Sequence, residues 1–302
     1  MLDVAKLATL RAVIEHGSFS GAGVALSLTQ PAVSRQVSLL EQQLGTQLVR
    51  RTRQGVHPTE AGRVLAAHAA DILGRVAAAE DDVAALAGLH RGRVRLGSFF
   101  NALVHLSAQV SAILAERHPG LTIEDHLVDR RAAFRGLAAG ELDLAIVFEH
   151  AFDPDPAPEG VELIALFDDP PRVLLPGDHR LARRRRIAVS DLAGEAWIRA
   201  HEGSGARLVD HVLMPAGLRP PILLVGRGDE PVEAPAFVAA GKGVTIAHAL
   251  GVIISDRIAV RPLSGGAPVR HIQAALMEGQ LAPAARAALE ALSTAARARR
   301  HR

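Results

Sequence analysis

Residues 18–45 run SFSGAGVALSLTQPAVSRQVSLLEQQLG, with Pro31 inside a stretch whose apolar spacing is otherwise helical. A helix interior rejects proline, which lacks an N–H and clashes with an earlier carbonyl, whereas the first turn has unpaired N–H groups and accepts it. A helix must therefore begin just before Pro31, with Thr29 as an N-cap whose hydroxyl accepts from an open N–H. Val33, Val37, Leu40 and Leu44 follow at spacings of four, three and four, which predicts one buried face. Gln30, Pro31, Ser34, Arg35 and Ser38 are left to meet a partner.

Ser18 caps a preceding helix lined by Phe19, Ala22 and Leu26, and a turn of about three residues separates the two, which is helix-turn-helix spacing. An earlier helix carries Leu7, Leu10 and Ile14 on one face, and Gly17 suits its left-handed C-terminal position. Beyond Gly45, Arg50, Arg51 and Arg53 cluster near Gly55, as in a basic β-hairpin wing able to reach phosphate or a minor groove. Singly, such pieces are ordinary packing and solvated surface, and their order is what points to DNA.

The strings SFSGAGVALSLTQPAVSRQVSLLEQQLG and LVRRTRQGVHPTEAG resemble LysR-type transcriptional regulators, densely over about the first 60 residues and more loosely beyond. Val49 stands where that family usually has phenylalanine, and Gly23 where it has a second alanine. The glycine keeps its position small where a neighbouring helix approaches. The resemblance implies DNA contacts by Thr29, Gln30, Pro31, Ser34, Arg35, Ser38, Arg51 and Arg53.

From Thr59 the chain runs TEAGRVLAAHAADILGRVAAAEDDVAALAGL without proline, predicting one long helix. Leu65, Ala69, Ile72, Val76, Ala79, Val83 and Leu86 alternate steps of four and three, the repeat of an apolar seam facing a partner helix. Packing on its own domain is the competing reading. In the resembling family the linker helix pairs two subunits, so a homodimer or homotetramer is expected.

Beyond HRGRVRLG, strands alternate with helices, predicting α/β order and a largely parallel sheet. The domains expected are a winged helix-turn-helix at 1–58, a linker helix at 59–89 and an effector domain at 90–302. Within the last, lobe I takes about 90–165 and 266–302, and lobe II 166–265. The resemblance implies a fold like type 2 periplasmic binding proteins, with a small-molecule effector in the inter-lobe cleft; GELDLAIV and AAGKGVTIAH are its looser marks, and His248 stands where the second usually has proline. Ser98 after the first strand and Ser204 with Gly205 in HEGSGAR mark two helix starts, where free N–H groups hold anions. With Phe99, Phe100, Phe148, Arg199 and Glu202, and with Arg207 as added charge, they form a candidate pocket for an anion such as a carboxylate.

The chain has 302 residues, 49% of them hydrophobic, enough for two or three domains. It has no cysteine, which excludes disulfides and thiolate metal sites. The net charge of +2 is too small to argue nucleic-acid binding by itself. MLDVAKLATL lacks the order of a signal peptide and no apolar run approaches the roughly 18 residues of a membrane span, so a cytoplasmic protein without a membrane partner is expected. The 14 histidines show no metalloprotease pattern, GKGVT lacks the upstream glycine of a phosphate loop, and GSG is no nucleophile elbow. Neither enzymatic activity, metal nor cofactor is expected. The partners are operator DNA, the effector, further copies of the chain and, for a regulator of this kind, RNA polymerase. A cytoplasmic solute-binding or enzymatic α/β protein with an N-terminal helical association domain is the alternative.

Overall fold

The computed structural model describes residues 1–52, 55–86, 92–226, 233–252, 255–265, 268–279 and 281–300. It opens with α1 (Val4–His16), α2 (Phe19–Ala25) and α3 (Gln30–Leu44). Pro31 lies in the first turn of α3, and Thr29 has the extended backbone of an N-cap but makes no side-chain cap hydrogen bond. The expected cap fails because proline occupies the second helical position, where one of the two N–H groups such a cap serves would be. Ser18 does cap α2, accepting from the Gly21 N–H at 3.0 Å, and Gly17 ends α1 at φ 59°. A β-carbon on Gly23 would lie 2.7 Å from the Leu28 carbonyl oxygen, so glycine admits the backbone of the turn rather than a neighbouring helix.

Val13, Phe19, Ala22, Val33, Val37 and Val56 form one part of this small core, and Leu7, Leu10, Leu40, Leu48 and Ala69 another. Leu44 is 41% exposed, contrary to its place in the predicted apolar face. The chain turns at Gly45 (φ 67°) and Leu48 supplies the contact beside Leu7 and Leu40. β1 (Val49–Thr52) and β2 (Gly55–Pro58) pair antiparallel, Val49 opposite Pro58 and Thr52 opposite Gly55. The Glu41 carboxylate fastens this wing to α3 by accepting from the N–H groups of Leu48 (2.8 Å) and Val49 (3.2 Å).

Thr59 caps α4 (Glu60–Leu86), its hydroxyl accepting from the Gly62 N–H at 3.0 Å. The 27 residues of α4 extend about 40 Å. Its predicted seam divides: Leu65, Ala69 and Ile72 pack with Leu7 and Leu10 of the same chain, Ala69 wholly buried there and Leu65 and Ile72 half-buried. Val76 is half-buried, Ala79 and Val83 are exposed, and the side chain of Leu86 lies outside the described residues. Farther along, Gly74 lies against Ala139 and Gly140, so closely that a β-carbon would come within 2.3 Å of the Ala139 carbonyl oxygen. Arg11 of α1 reaches Glu141 of the same turn at 3.8 Å.

Lobe I contains β3 (Gly92–Ser98), α5 (Phe100–Ala102), a π-helical turn (Leu103–Ser107), α6 (Ala108–Arg117), β4 (Leu121–Leu127), α7 (Arg130–Ala138), β5 (Leu144–His150) and β6 (Val161–Asp169). Lobe II contains β7 (Pro171–Pro176), β8 (Trp197–Arg199), α8 (Ser204–Leu213), β9 (Ile222–Leu224), α9 (Ala234–Ala239), β10 (Thr245–His248) and β11 (Ile258–Pro262). The chain then returns to lobe I as β12 (Arg270–Met277) and α10 (Pro283–Arg300). The lobe I sheet has the order β4-β3-β5-β12-β6, with β3 parallel to β4 and β5 but β12 antiparallel to β5 and β6. In lobe II β10-β7-β11 is antiparallel, while β8 and β9 form a parallel pair. The largely parallel expectation therefore holds for β4-β3-β5 and for β8-β9, and fails in the lobe I sheet at β12, which re-enters from the other lobe rather than by a βαβ crossover.

α6 and α10 cover one face of the lobe I sheet through Val110, Leu114 and Leu292, and α7 covers the other through Phe134 and Leu137. Trp197 is fully buried in lobe II with Val173, Leu175, Leu208 and Ile246. β6 stays paired with β12 as far as Asp169, so lobe I runs past residue 165 before crossing at Pro170. At this crossing Asp169 faces Arg270 in register, each 2% exposed, with the charged atoms 2.7 Å apart. Asp169 also accepts from the Leu250 N–H at 2.9 Å. Among the described residues no helix is long and apolar enough to cross a membrane.

Removing one member of a buried pair leaves a charge in low dielectric, which typically costs about 3–5 kcal/mol. Asp169→Ala is expected to lower the melting temperature of the effector domain in the full chain by calorimetry, with secondary structure by circular dichroism retained below the transition.

Candidate DNA interface and ligand cleft

Gln30, Pro31, Arg35 and Ser38 are exposed on α3 and Ser34 is half-buried, opposite Val33, Val37 and Leu40. Thr29 is exposed in the turn before them. Arg51 from β1 leans across α2: its guanidinium lies 4.5 Å from the Phe19 ring centroid and donates to the Ser34 hydroxyl at 3.1 Å. Wing and helix thus share one surface, with the cations Arg35, Arg50 and Arg51 exposed on it. Arg53 lies outside the described residues. Glu41, which fixes the wing, escaped sequence reasoning although it stands within LEQQLG.

Two adjoining cavities occupy the cleft between the lobes, both walled by Phe100, His150 and Ser204. The outer one, of about 570 Å³, is lined also by Phe99, Phe148, Arg130, Glu149, Asp153, Asp155 and Arg207. Here Arg207 pairs with Asp153 at 2.9 Å, and Arg130 donates to the carbonyl oxygens of Phe148 (3.1 Å) and Asp155 (2.8 Å). Burial lowers the Arg130 pKa, with Glu149 and Asp155 acting against it. The inner cavity, of about 240 Å³, is lined by Val104, Leu208, Ile246, Gly205, His105, His248 and Arg270 among others, with no carboxylate among the described residues of its wall.

Ser98 is fully buried, lines neither cavity, and its Oγ has no hydrogen-bond partner among the described residues. It ends β3 while Phe99 serves as N-cap of α5, so the helix starts one residue later than Ser98 would require. Arg199 is spent on Asp210 in a bidentate pair at 2.8 and 2.5 Å, and that bond raises its pKa. It lines neither cavity, and neither does Glu202, which is exposed. Ser204 and Gly205 do open α8 into the cleft, and Gly203 before them adopts φ 92°, a conformation that favours glycine.

Phe99 and Phe148 meet edge to face at 4.8 Å, and the Arg270 guanidinium lies 4.9 and 4.7 Å from their centroids. His150 lies 5.3 Å from Phe148, 4.8 Å from Phe152 and 5.0 Å from His248, ring to ring. His248 is 7% exposed and its Nε2 has no hydrogen-bond partner among the described residues. Burial, and then the charges of Arg270 and His150, hold its pKa well below the usual histidine range, so the ring is neutral near pH 7. Sequence reasoning passed over His150, His248, Arg270 and Arg130; the one available signal was histidine in place of the family's proline at 248.

Residues 4–63 match the family model described as the bacterial regulatory helix-turn-helix protein of the lysR family, and residues 87–297 match the LysR substrate binding domain. The chain belongs to the LysR family. It is a DNA-binding transcriptional regulator with an effector domain. CbbR of Xanthobacter flavus is 29% identical over 91% of this chain and 83% of its own length. A RuBisCO operon transcriptional regulator of Allochromatium vinosum is 31% identical over 68% of this chain and 66% of its own. In fold, a full-length OxyR variant of Pseudomonas aeruginosa matches with TM-score 0.72 and 23% identity over 98% of this chain and 95% of that one. Full-length CbnR complexed with its target DNA matches with TM-score 0.70 and 21% identity over 97% of this chain and all of that one.

Arginine that pairs with guanine contributes about 1–3 kcal/mol of discrimination, or roughly 5- to 150-fold in affinity. Arg35→Ala in this LysR-family regulator is expected to weaken operator binding within that range at moderate salt, measured by fluorescence anisotropy. An unchanged affinity removes Arg35 from the interface.

Proposed function

We propose that this regulator acts as a dimer or higher oligomer that reads an operator through α3 and the wing, and that a small anion in the inner cavity controls it. The observation that carries the anion is the inner wall: α8 begins there with Ser204 and Gly205, three histidines and Arg270 stand around it, and among its described residues there is no carboxylate. The outer cavity is a poorer host, since Asp129, Glu149, Asp153 and Asp155 outnumber its arginines. A volume of about 240 Å³ is below the roughly 300–1,000 Å³ of pockets for drug-sized ligands, which favours a small acid with an apolar body against Val104, Leu208 and Ile246. Anion binding that favours one spacing of the lobes shifts the population of the whole chain toward it.

Calorimetric titration of the full chain with benzoate, phenylacetate and 4-methylvalerate is expected to detect binding that the corresponding amides do not match. Binding of the amides alone would refute the anionic effector.

The linker bears on oligomerisation. With Leu65, Ala69 and Ile72 engaged within the chain, the apolar surface left for a second α4 is at Val76, Ala79 and Val83, the last 66% exposed. Val83→Asp places a charge in that pairing and is expected to shift sedimentation toward monomer, whereas Ile72→Asp is expected to unfold the DNA-binding domain first. An intact assembly for Val83→Asp would take this face out of the interface.

A further inference from the structure

The inner cavity has a feature beyond its fit to an anion. His248 ends β10 with its ring buried and Nε2 unpaired in the wall of a mostly apolar chamber. The opposite wall begins where the helix after β3 widens into the π turn Leu103–Ser107, which contributes Val104 and His105. Single π turns of this kind occur often at functional sites. A polar atom kept dry without a partner costs about 1–3 kcal/mol, and a ligand group that meets it recovers that cost.

Among the described residues, the charged or titratable groups in the wall around the ring are cations or can become cations. His150 at the end of β5 is 5.0 Å away between centroids, Arg270 opens β12 and His105 is on the π turn, all three in the wall of the chamber. Among the described residues the carboxylate nearby is that of Asp169, which is committed to Arg270 and the Leu250 N–H. A proton on His248 in the empty cavity would thus be a buried cation among cations, while a carboxylate beside Nε2 would give it a counter-charge.

Resting on the reading of this cavity as the seat of an anionic effector, we infer that the effector is a carboxylate that binds together with one proton, taken from solvent by the His248 imidazole. The Nε2–H of the resulting imidazolium donates to the carboxylate, the apolar body of the acid lies against Val104, Leu208 and Ile246, and Ser204 and Gly205 hold the second oxygen at the start of α8. No bond other than that to the proton is made or broken. Neutral analogues bring no counter-charge and bind without proton uptake. Acid binding is therefore stronger at lower pH, and where uptake is complete affinity falls tenfold for each unit of rising pH.

Benzoate and benzamide are the probes, titrated by calorimetry into the full chain between pH 6.5 and 8 in MOPS and in Tris, whose ionisation heats differ. The inference expects benzoate to bind with uptake of close to one proton and His248→Gln, which keeps a donor but cannot be charged, to lose both the uptake and the pH dependence. Benzoate binding without uptake, or uptake that persists in His248→Gln and disappears in His150→Gln, overturns the role of His248 and leaves the anionic effector standing. Binding of benzamide but not benzoate, or of neither, overturns both. Should His248→Gln fail to fold, imidazole 15N shifts of the wild-type chain decide: a change of His248 from neutral to cationic values on adding benzoate supports the inference, and shifts that stay neutral overturn it.

Discussion

Arg270 and Asp169 are sealed from water where the chain crosses between lobes, and a charge pair in that setting needs close geometry and further partners to be tolerated. The surroundings supply them. Phe99 and Phe148 lie against the guanidinium, and the Leu250 N–H meets the carboxylate. One strand of each inter-lobe connection contributes a member of the pair, β6 outbound and β12 on return, so the two crossings are tied at one point. Slipping β6 past β12 would separate the charges, so the pair fixes the register in which the two strands meet. Arg270 of the same pair stands in the wall of the inner cavity with His248.

The N-terminal domain was legible because its signals are local. Pro31 fixes a helix start, Gly17 a helix end, and the buried positions Val33, Val37 and Leu40 recur at helical spacing. Leu44 misled because that spacing continues to the last residue of the helix, past the point where the core still has room. The seam of α4 was ambiguous for a different reason. A three-four repeat describes an apolar stripe without saying what covers it, and α1 covers the stripe at Ala69 as well as a second subunit could.

The cleft was least legible. Side chains alternate faces along a strand, so a one-residue error in where β3 ends moves Ser98 from the cleft into the sheet. Residues 150, 169, 248 and 270 come together through the two crossings of the chain, and no spacing in the sequence encodes that convergence. α8 is the exception. Its start could be read from HEGSGAR, because glycine before a small polar residue is itself a helix-terminus signal, and Ser204 and Gly205 do stand in the wall.

The contact between Gly74 and Gly140 joins the linker to this chemistry. α7 begins with Arg130 in the outer cavity and ends just before Gly140, nine residues or about 14 Å away. At its far end backbone meets backbone, with no side chain on either glycine to absorb a displacement. Arg130 in the outer cavity and the linker α4 thus stand at opposite ends of one short helix, and Arg11 on Glu141 adds a contact from the first helix of the DNA-binding domain. A side chain at either glycine would push the linker helix away from the effector domain, so this contact sets how closely the two can approach.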